Sequence, residues 1–295
     1  MRMNAPRDSG SSPARSLTEF PFASPSAIAI TPLSSRSKLA VRDIEQGVRE
    51  WRLWLTMAWN DIRMRYRRSV LGPFWITLSM GFSILMMGLL YGNLFKLDMR
   101  SYVPHLTLGL LIWSFLQGVV NEGCLAFIAS ENFIKQTRLP YSTYVYRTVW
   151  RNLIILGHNA IVYLVVAVIF GIVPTFNTLL FVPGIAIVLL NAAWVTLLLG
   201  MICTRFRDIP QLIMSILQVV FFVTPIMWTP QLLGSRMFLV QFNPAFHTVE
   251  MIRAPLLGEA PTALNWYFML GMTLVGCLGT FVMFRWYRNR ISYWL

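Results

Sequence analysis

Arg65, Arg67 and Arg68 fall within four residues in the stretch RYRRSVLGPFW, and Arg63 stands just before them. Guanidinium groups at this density bind anionic oxygens, phosphate above all, through paired N–H donors. A nucleic-acid patch, a solvated surface and a membrane boundary all present such a pattern. Other chemistry is sparse. There is no G-x-x-x-x-G-K-[ST] phosphate loop and no H-E-x-x-H zinc motif. His105, His158 and His247 are far apart, and past the N-terminal region the acids are Asp98, Glu122, Glu131, Asp208, Glu250 and Glu259, with no pair spaced for acid–base work. No catalytic residue, metal site or cofactor follows from these residues. Glu122 is the one acid inside an apolar run; it lies toward the run's end and is expected to pair with a boundary arginine or to meet headgroups. A chain with neither a nucleotide site nor a proton relay must, if it transports, draw its energy from a separate subunit.

The elements that position these residues are dominated by apolar runs. Of 295 residues, 56% are hydrophobic and 13% charged, and the mean hydropathy is +0.58. Soluble domains carry about 25% charged residues. Six segments are near the ~20 residues that carry a helix across ~30 Å of hydrocarbon. They run about 75–95, 105–128, 152–172, 178–203, 211–228 and 264–284. Before them, residues 1–40 are rich in Ser, Pro, Ala and Arg without periodicity and read as a disordered tail. Residues 41–295 then form the membrane domain. Within it, Ile44, Val48, Trp51, Leu55, Ala58 and Ile62 recur at three- and four-residue steps, which predicts an amphipathic helix over 44–62 lying in the interface plane. Cys124, Cys203 and Cys277 lie in or beside apolar runs and read as small buried residues. The expected fold class is therefore an all-α integral membrane protein.

The placement of charge decides among the three readings of the arginines. With alternating segments, all of the 25 Lys and Arg fall on the side of the N-terminus except Lys96, Arg100, Arg236 and Arg253. This asymmetry orients the chain with both termini cytoplasmic. The net charge of +13 thus belongs to membrane boundaries, and nucleic acid is excluded as a partner. Arg63, Arg65, Arg67 and Arg68 are placed to hold anionic headgroups at the entry to the first span.

Three further features carry functional readings. Ser130–Arg147 is longer than a simple turn; ENFIKQTRL fits either a short polar helix that inserts into a partner or an ordinary basic loop, and Pro140 ends it. On the far side, 229–261 holds two apolar pieces, 232–240 and 246–257, broken at Asn243-Pro244. They fit short helices dipping into the membrane, or a surface loop with two amphipathic helices. Tyr163, Trp194, Phe221 and Phe222 sit well inside spans, where an aromatic face either stacks on a sugar ring or packs among helices.

RYRRSVLGPFW, ENFIKQTRLP, RFRDIPQL, TPIMW and NPAFHTVEMIRAPLLG occur in that order, at matching places in a six-span layout. This set resembles the permeases of type-2 ABC exporters that move O-antigen or capsular polysaccharide, over Ile44 to the last residue. The resemblance implies a homodimeric permease in the inner membrane, working with a separate ABC ATPase that binds the ATP and Mg. It implies an interface helix at 44–62 and a coupling helix carrying Glu131, Asn132, Lys135 and Arg138. Short re-entrant gate helices around Asn243, Pro244 and Arg253 come before the last span. A channel lined partly by Tyr163, Trp194, Phe221 and Phe222 carries a lipid-linked glycan, whose pyrophosphate Arg63, Arg65, Arg67 and Arg68 are placed to receive. Teichoic acid, a drug or a small lipid is the alternative cargo.

Overall fold

The computed structural model describes residues 33–67, 71–72, 74–228 and 238–295. The described residues are helical with connecting turns, and no strand occurs among them. Two helices precede the membrane runs, α1 (Leu33–Arg49) and α2 (Trp51–Arg65). They take the place of the single helix expected over 44–62. Glu50 breaks the run with φ −83° and ψ 33°. The Trp54 indole donates to the Gly47 carbonyl across this break at 3.0 Å, so one aromatic ring sets the angle between the two helices. The start of α1 at Leu33 also lies inside the segment expected to be a tail, because Ala40 and Asp43 are buried against the bundle. Residues 1–32 lie outside the described part.

Among the described residues, five helices are long and apolar enough to cross a bilayer. They are α3 (Phe74–Leu94), α4 (Met99–Cys124), α6 (Tyr141–Phe170), α7 (Phe181–Arg205, continued backward by a 3-10 turn from Phe176) and α11 (Ala263–Tyr287, continued by short turns to Trp294). The segment expected as a span at 211–228 is helical as α8 only over Ile209–Val223. Its 15 residues reach about 22 Å, short of the hydrocarbon thickness, and bends follow at 224–228. Three short helices complete the set: α5 (Glu131–Gln136), α9 (Phe238–Gln241) and α10 (Pro244–Leu256). A last turn, α12 (Ile291–Trp294), follows Arg288–Arg290.

Where the helices start and stop follows local chemistry. Asp98 caps α4 by accepting from the Arg100 amide, which starts that helix six residues earlier than expected. Gly171 ends α6 in the left-handed region at φ 68°, with the Ile172 amide returning to the Ala167 carbonyl at 2.8 Å. The start of α6 at Tyr141, eleven residues ahead of expectation, has another cause, given below.

The central helix is α4. Leu108, Ile112, Phe115 and Val119 on it share one buried cluster with Val188 of α7, Val249 and Ile252 of α10 and Met269 of α11. α3 and α8 stand at the rim: α8 buries only Pro210 among its residues, and Leu78, Phe82 and Leu85 of α3 are exposed. Close backbone approach fixes α10 in this bundle. A Cβ added at Gly184 of α7 would stand 2.6 Å from the Met251 backbone oxygen. Small residues allow such approach between membrane helices. Gly184→Ala is therefore expected to displace α10 and to cost about 1–3 kcal/mol. Gly157→Ala, with nothing within 4 Å of the new methyl, should be neutral or mildly stabilising. Thermal melts of the two purified variants in detergent check the contrast.

Candidate functional site

At one end of the bundle α2, α4 and α6 meet in a lattice of charges. Arg147 and Arg151 stand four residues apart on α6, so both side chains leave the same face. The Asp61 carboxylate of α2 accepts from Arg147 at 2.5 and 2.7 Å and from Arg151 at 2.7 Å. Arg151 also pairs with Glu122 of α4 at 2.8 Å. Glu122 in turn accepts from Arg65 at 2.9 Å and from Asn152 at 2.7 Å. Sequence reading placed Arg147 and Arg151 in a loop, as charges suited to water. With Asp61 and Glu122 neutralising them, helix continues through them, which explains the early start of α6. Burial raises the Asp61 pKa, but the hydrogen bonds and charges of Arg147 and Arg151 outweigh it and hold the carboxyl below its usual value. Burial also opposes charge on Arg65, and Glu122 outweighs that in turn, raising the Arg65 pKa.

A second buried acid anchors α1. Pro140 is the N-cap residue of α6 and makes no side-chain cap bond. Asp43, only 1% exposed, supplies the missing acceptor from 98 residues away. It accepts from the Tyr141 amide at 3.2 Å and the Ser142 amide at 3.0 Å. A carboxylate there also opposes the positive end of the helix dipole. Arg288, beyond α11, donates to the same carboxylate at 2.7 Å. Nothing in the spacing of Asp43 signals this role.

Between the ends of α4 and α6 sits α5, preceded by the 3-10 turn Ile128–Ser130. Glu131, Asn132 and Lys135 lie on α5, and Arg138 follows two residues past its end. Lys135 pairs with Glu131 at 2.6 Å, and its hydrogen bond and charge lower the pKa of the Glu131 carboxyl. Ile134 and Leu139 pack against a cluster that includes Phe127, Tyr144 and Ile291. Asn132, Phe133, Lys135 and Arg138 face outward. Here a helix forms where the residues alone left helix and loop open.

The arginines of the opening stretch divide. Arg65 is held by Glu122, whereas Arg63 and Arg67 are exposed and their side chains make no hydrogen bond or ion pair among the described residues. Arg68 lies outside the described residues.

The opposite end of the bundle is built on α10. Asn243 caps it by accepting from the Ala245 amide at 2.9 Å, and Pro244 takes the first helical position. The Asn243 amide group also donates to Thr224 at 2.9 Å. Arg253, 1% exposed, donates to the Pro225 carbonyl at 2.9 Å, lies 3.0 Å from His105 Nε2, and pairs with Glu250. Asn243 and Arg253 thus clamp α10 to the Thr224-Pro225 turn after α8. The expected first short helix lies mostly outside the described residues, with α9 its described part. A cavity of about 630 Å³ opens beside α10, lined by Asp98, Arg100, Tyr102, Glu250 and Glu259 among others.

The four aromatics make different contacts. Phe221 packs against Phe222 and Trp113, each with centroids 5.4 Å apart, and Phe222 is exposed. The Tyr163 hydroxyl donates to the Leu256 carbonyl of α10 at 2.5 Å. Trp194 donates to Asn191 at 2.8 Å and packs over Gly276 of α11, where a Cβ would come within 2.3 Å of its ring. Two of these rings therefore join helices to one another.

Long apolar helices, with ion pairs gathered at one end and a clamped short helix at the other, make this a polytopic helical membrane protein. The family model described as ABC-2 type transporter matches residues 52–257, and the chain belongs to that family. It is similar to the O-antigen export system permease protein RfbA of Klebsiella pneumoniae. The two are 24% identical over 191 residues, covering 63% of this chain and 72% of that protein. It is also similar to the protein of the same name from Myxococcus xanthus, at 27% over 199 residues, covering 65% and 75%.

The lattice makes a prediction about acid. The Asp61 pKa is lower in the folded chain than its ordinary value of 3.8. Its contribution to stability is full above that value and is lost as pH falls through the lower, folded pKa. Asp61→Asn should therefore lower stability at neutral pH and flatten the acid limb of a stability–pH profile measured by thermal melting in detergent.

Proposed function

We propose that this chain is the transmembrane permease of an ATP-driven exporter of lipid-linked polysaccharide of the O-antigen type. The observation that carries this reading is the likeness to relatives named as O-antigen export permeases, each covered over 72–75% of its length. The placement of the charge lattice supports it. A permease without its own engine needs a rigid structure at the cytoplasmic boundary that turns a partner's movement into movement of the spans. The helix α5 is held between α4 and α6, which Asp61, Glu122 and Arg151 bind together. A push on its exposed face, Asn132, Lys135 and Arg138, is thereby delivered to two spans at once. Two copies of an ABC ATPase would press there, binding the ATP and Mg that this chain does not hold.

In this reading the basic end is cytoplasmic, together with both termini, and the membrane is the inner membrane. α8 and residues 224–228 form the sixth crossing. Two permease copies enclose the channel, and α10 is the outer gate, held by Asn243 and Arg253. Arg63 and Arg67 receive the lipid pyrophosphate, bidentately, while Arg65 holds the frame.

In a strain lacking the chain, surface glycan should disappear while lipid-linked polymer accumulates inside the cell; loss of polymer synthesis itself would contradict export. Restoring the chain as Arg63→Glu/Arg67→Glu should leave co-purification with the ATPase intact and reduce surface glycan several-fold. Unchanged surface glycan would remove these two arginines from the substrate path.

A further inference from the structure

A cavity of about 760 Å³ opens at the basic end, between the last turn of α7 and the segment after α11. Its rim carries two guanidinium groups, Arg205 and Arg290, and no carboxylate. Neither guanidinium group has a carboxylate or hydrogen-bond partner among the described residues. Both are held instead by aromatic faces. Arg205 lies 5.7 Å from the Trp294 ring and 5.8 Å from the Phe206 ring, and Arg290 lies 5.8 Å from the Tyr287 ring. The Tyr287 and Trp294 rings stand 5.6 Å apart. A guanidinium held by ring faces keeps its N–H donors directed outward and unspent.

Met201, Ile202 and Met283 form an apolar part of its lining, and Asn289 and Tyr293 also line it. The helix α11, which contributes Met283 and Tyr287 to the lining, also carries an exposed apolar stripe. Leu274, Leu278, Val282 and Trp286 recur every four residues and are all exposed, so they share one face. That stripe runs from the middle of a span to a tryptophan at its boundary, the depth occupied by a lipid tail. A pocket with unpartnered cations at the boundary, beside a span that carries an exposed apolar stripe, matches a molecule with an anionic head and a hydrocarbon tail.

We propose that Arg205 and Arg290, set in the cage of Tyr287, Trp294 and Phe206, form a binding site for the phosphate head of an anionic lipid whose tail lies along the Leu274–Val282 stripe. The site is separate from Arg63 and Arg67, and it needs only that the chain spans a bilayer. It takes an anionic phosphate or diphosphate head, the chemistry shared by anionic phospholipids and by polyprenyl carriers. The absence of an acid from the rim argues against a basic protein surface as the occupant.

The test is native mass spectrometry of the purified full chain, titrated with dioleoylphosphatidic acid and, separately, with dioleoylphosphatidylcholine. Each arginine near an anionic surface contributes about 1 kcal/mol, so Arg205→Gln/Arg290→Gln should weaken phosphatidic acid binding by roughly tenfold or more. Phosphatidylcholine retention should not change. Arg205→Lys/Arg290→Lys, which keeps the charge, should retain most of the binding and guards against misfolding of the glutamine variant. Equal phosphatidic acid binding by wild type and the glutamine variant overturns the proposal. So does loss of ATPase association with lipid binding intact, which would mark a protein interface. Inorganic pyrophosphate added to the lipid-bound chain separates the two sources of the head group: displacement supports a pocket that reads phosphate alone, as a diphosphate carrier would require, and retention supports a phospholipid held by head and tail together.

Discussion

The neutralisation of arginine by buried carboxylate at one end of the bundle is the constraint on which the rest depends. Arginines are needed there to set orientation, yet a guanidinium half out of water is tolerated only with a partner and satisfied donors. Asp61, Glu122 and Asp43 supply those partners to Arg65, Arg147, Arg151 and Arg288. Because the acids sit on α1, α2 and α4 and most of the arginines on or beside α6 and α11, each pair is also a joint between elements. α1 and α2 leave Val41, Val48, Trp51 and Trp59 exposed and pack on the bundle through Ala40, Ile44 and Met57. Their position against α6 rests on Asp43 and Asp61 and on Trp54, which packs against Tyr146 and Trp150.

The other end uses different means. There the clamp on α10 consists of hydrogen bonds to a backbone carbonyl, a threonine and a histidine, with a single ion pair within α10 itself. The turn at Thr224-Pro225 that receives them follows a helix too short to cross, so α10 is tied to the least embedded apolar element. The basic end is cross-linked among deep helices, while the opposite end is latched to a rim. The two ends of one bundle therefore differ in how much they can yield.

How much of this was legible in the sequence depends on range. The runs at 75–95, 178–203 and 264–284 agree with α3, α7 and α11 within about three residues, because apolar length is a local property. The charged margins were not legible. Arg147 and Arg151 look like loop residues until Asp61, some ninety positions away, is placed beside them. The break at Glu50 depends on Trp54 reaching back to Gly47. Glu122 was expected to meet a boundary arginine, and it meets two. Arg253 was selected as a gate residue by resemblance, but its complete burial and its clamp on Pro225 follow from the fold alone. Tyr163 and Trp194, chosen for a passage, join helices; their hydrogen-bond partners are what the sequence could not show.

The trans cap on α6 bears on the order in which the molecule is made. The acceptor for its first amides comes from Asp43, among the earliest described residues to leave the ribosome, and the cation that balances Asp43 is Arg288, among the last. Throughout translation the acid is thus at hand, but its counter-charge is absent until the final long helix has emerged. A chain halted before Arg288 would therefore have the cap on α6 but not the cation that balances it.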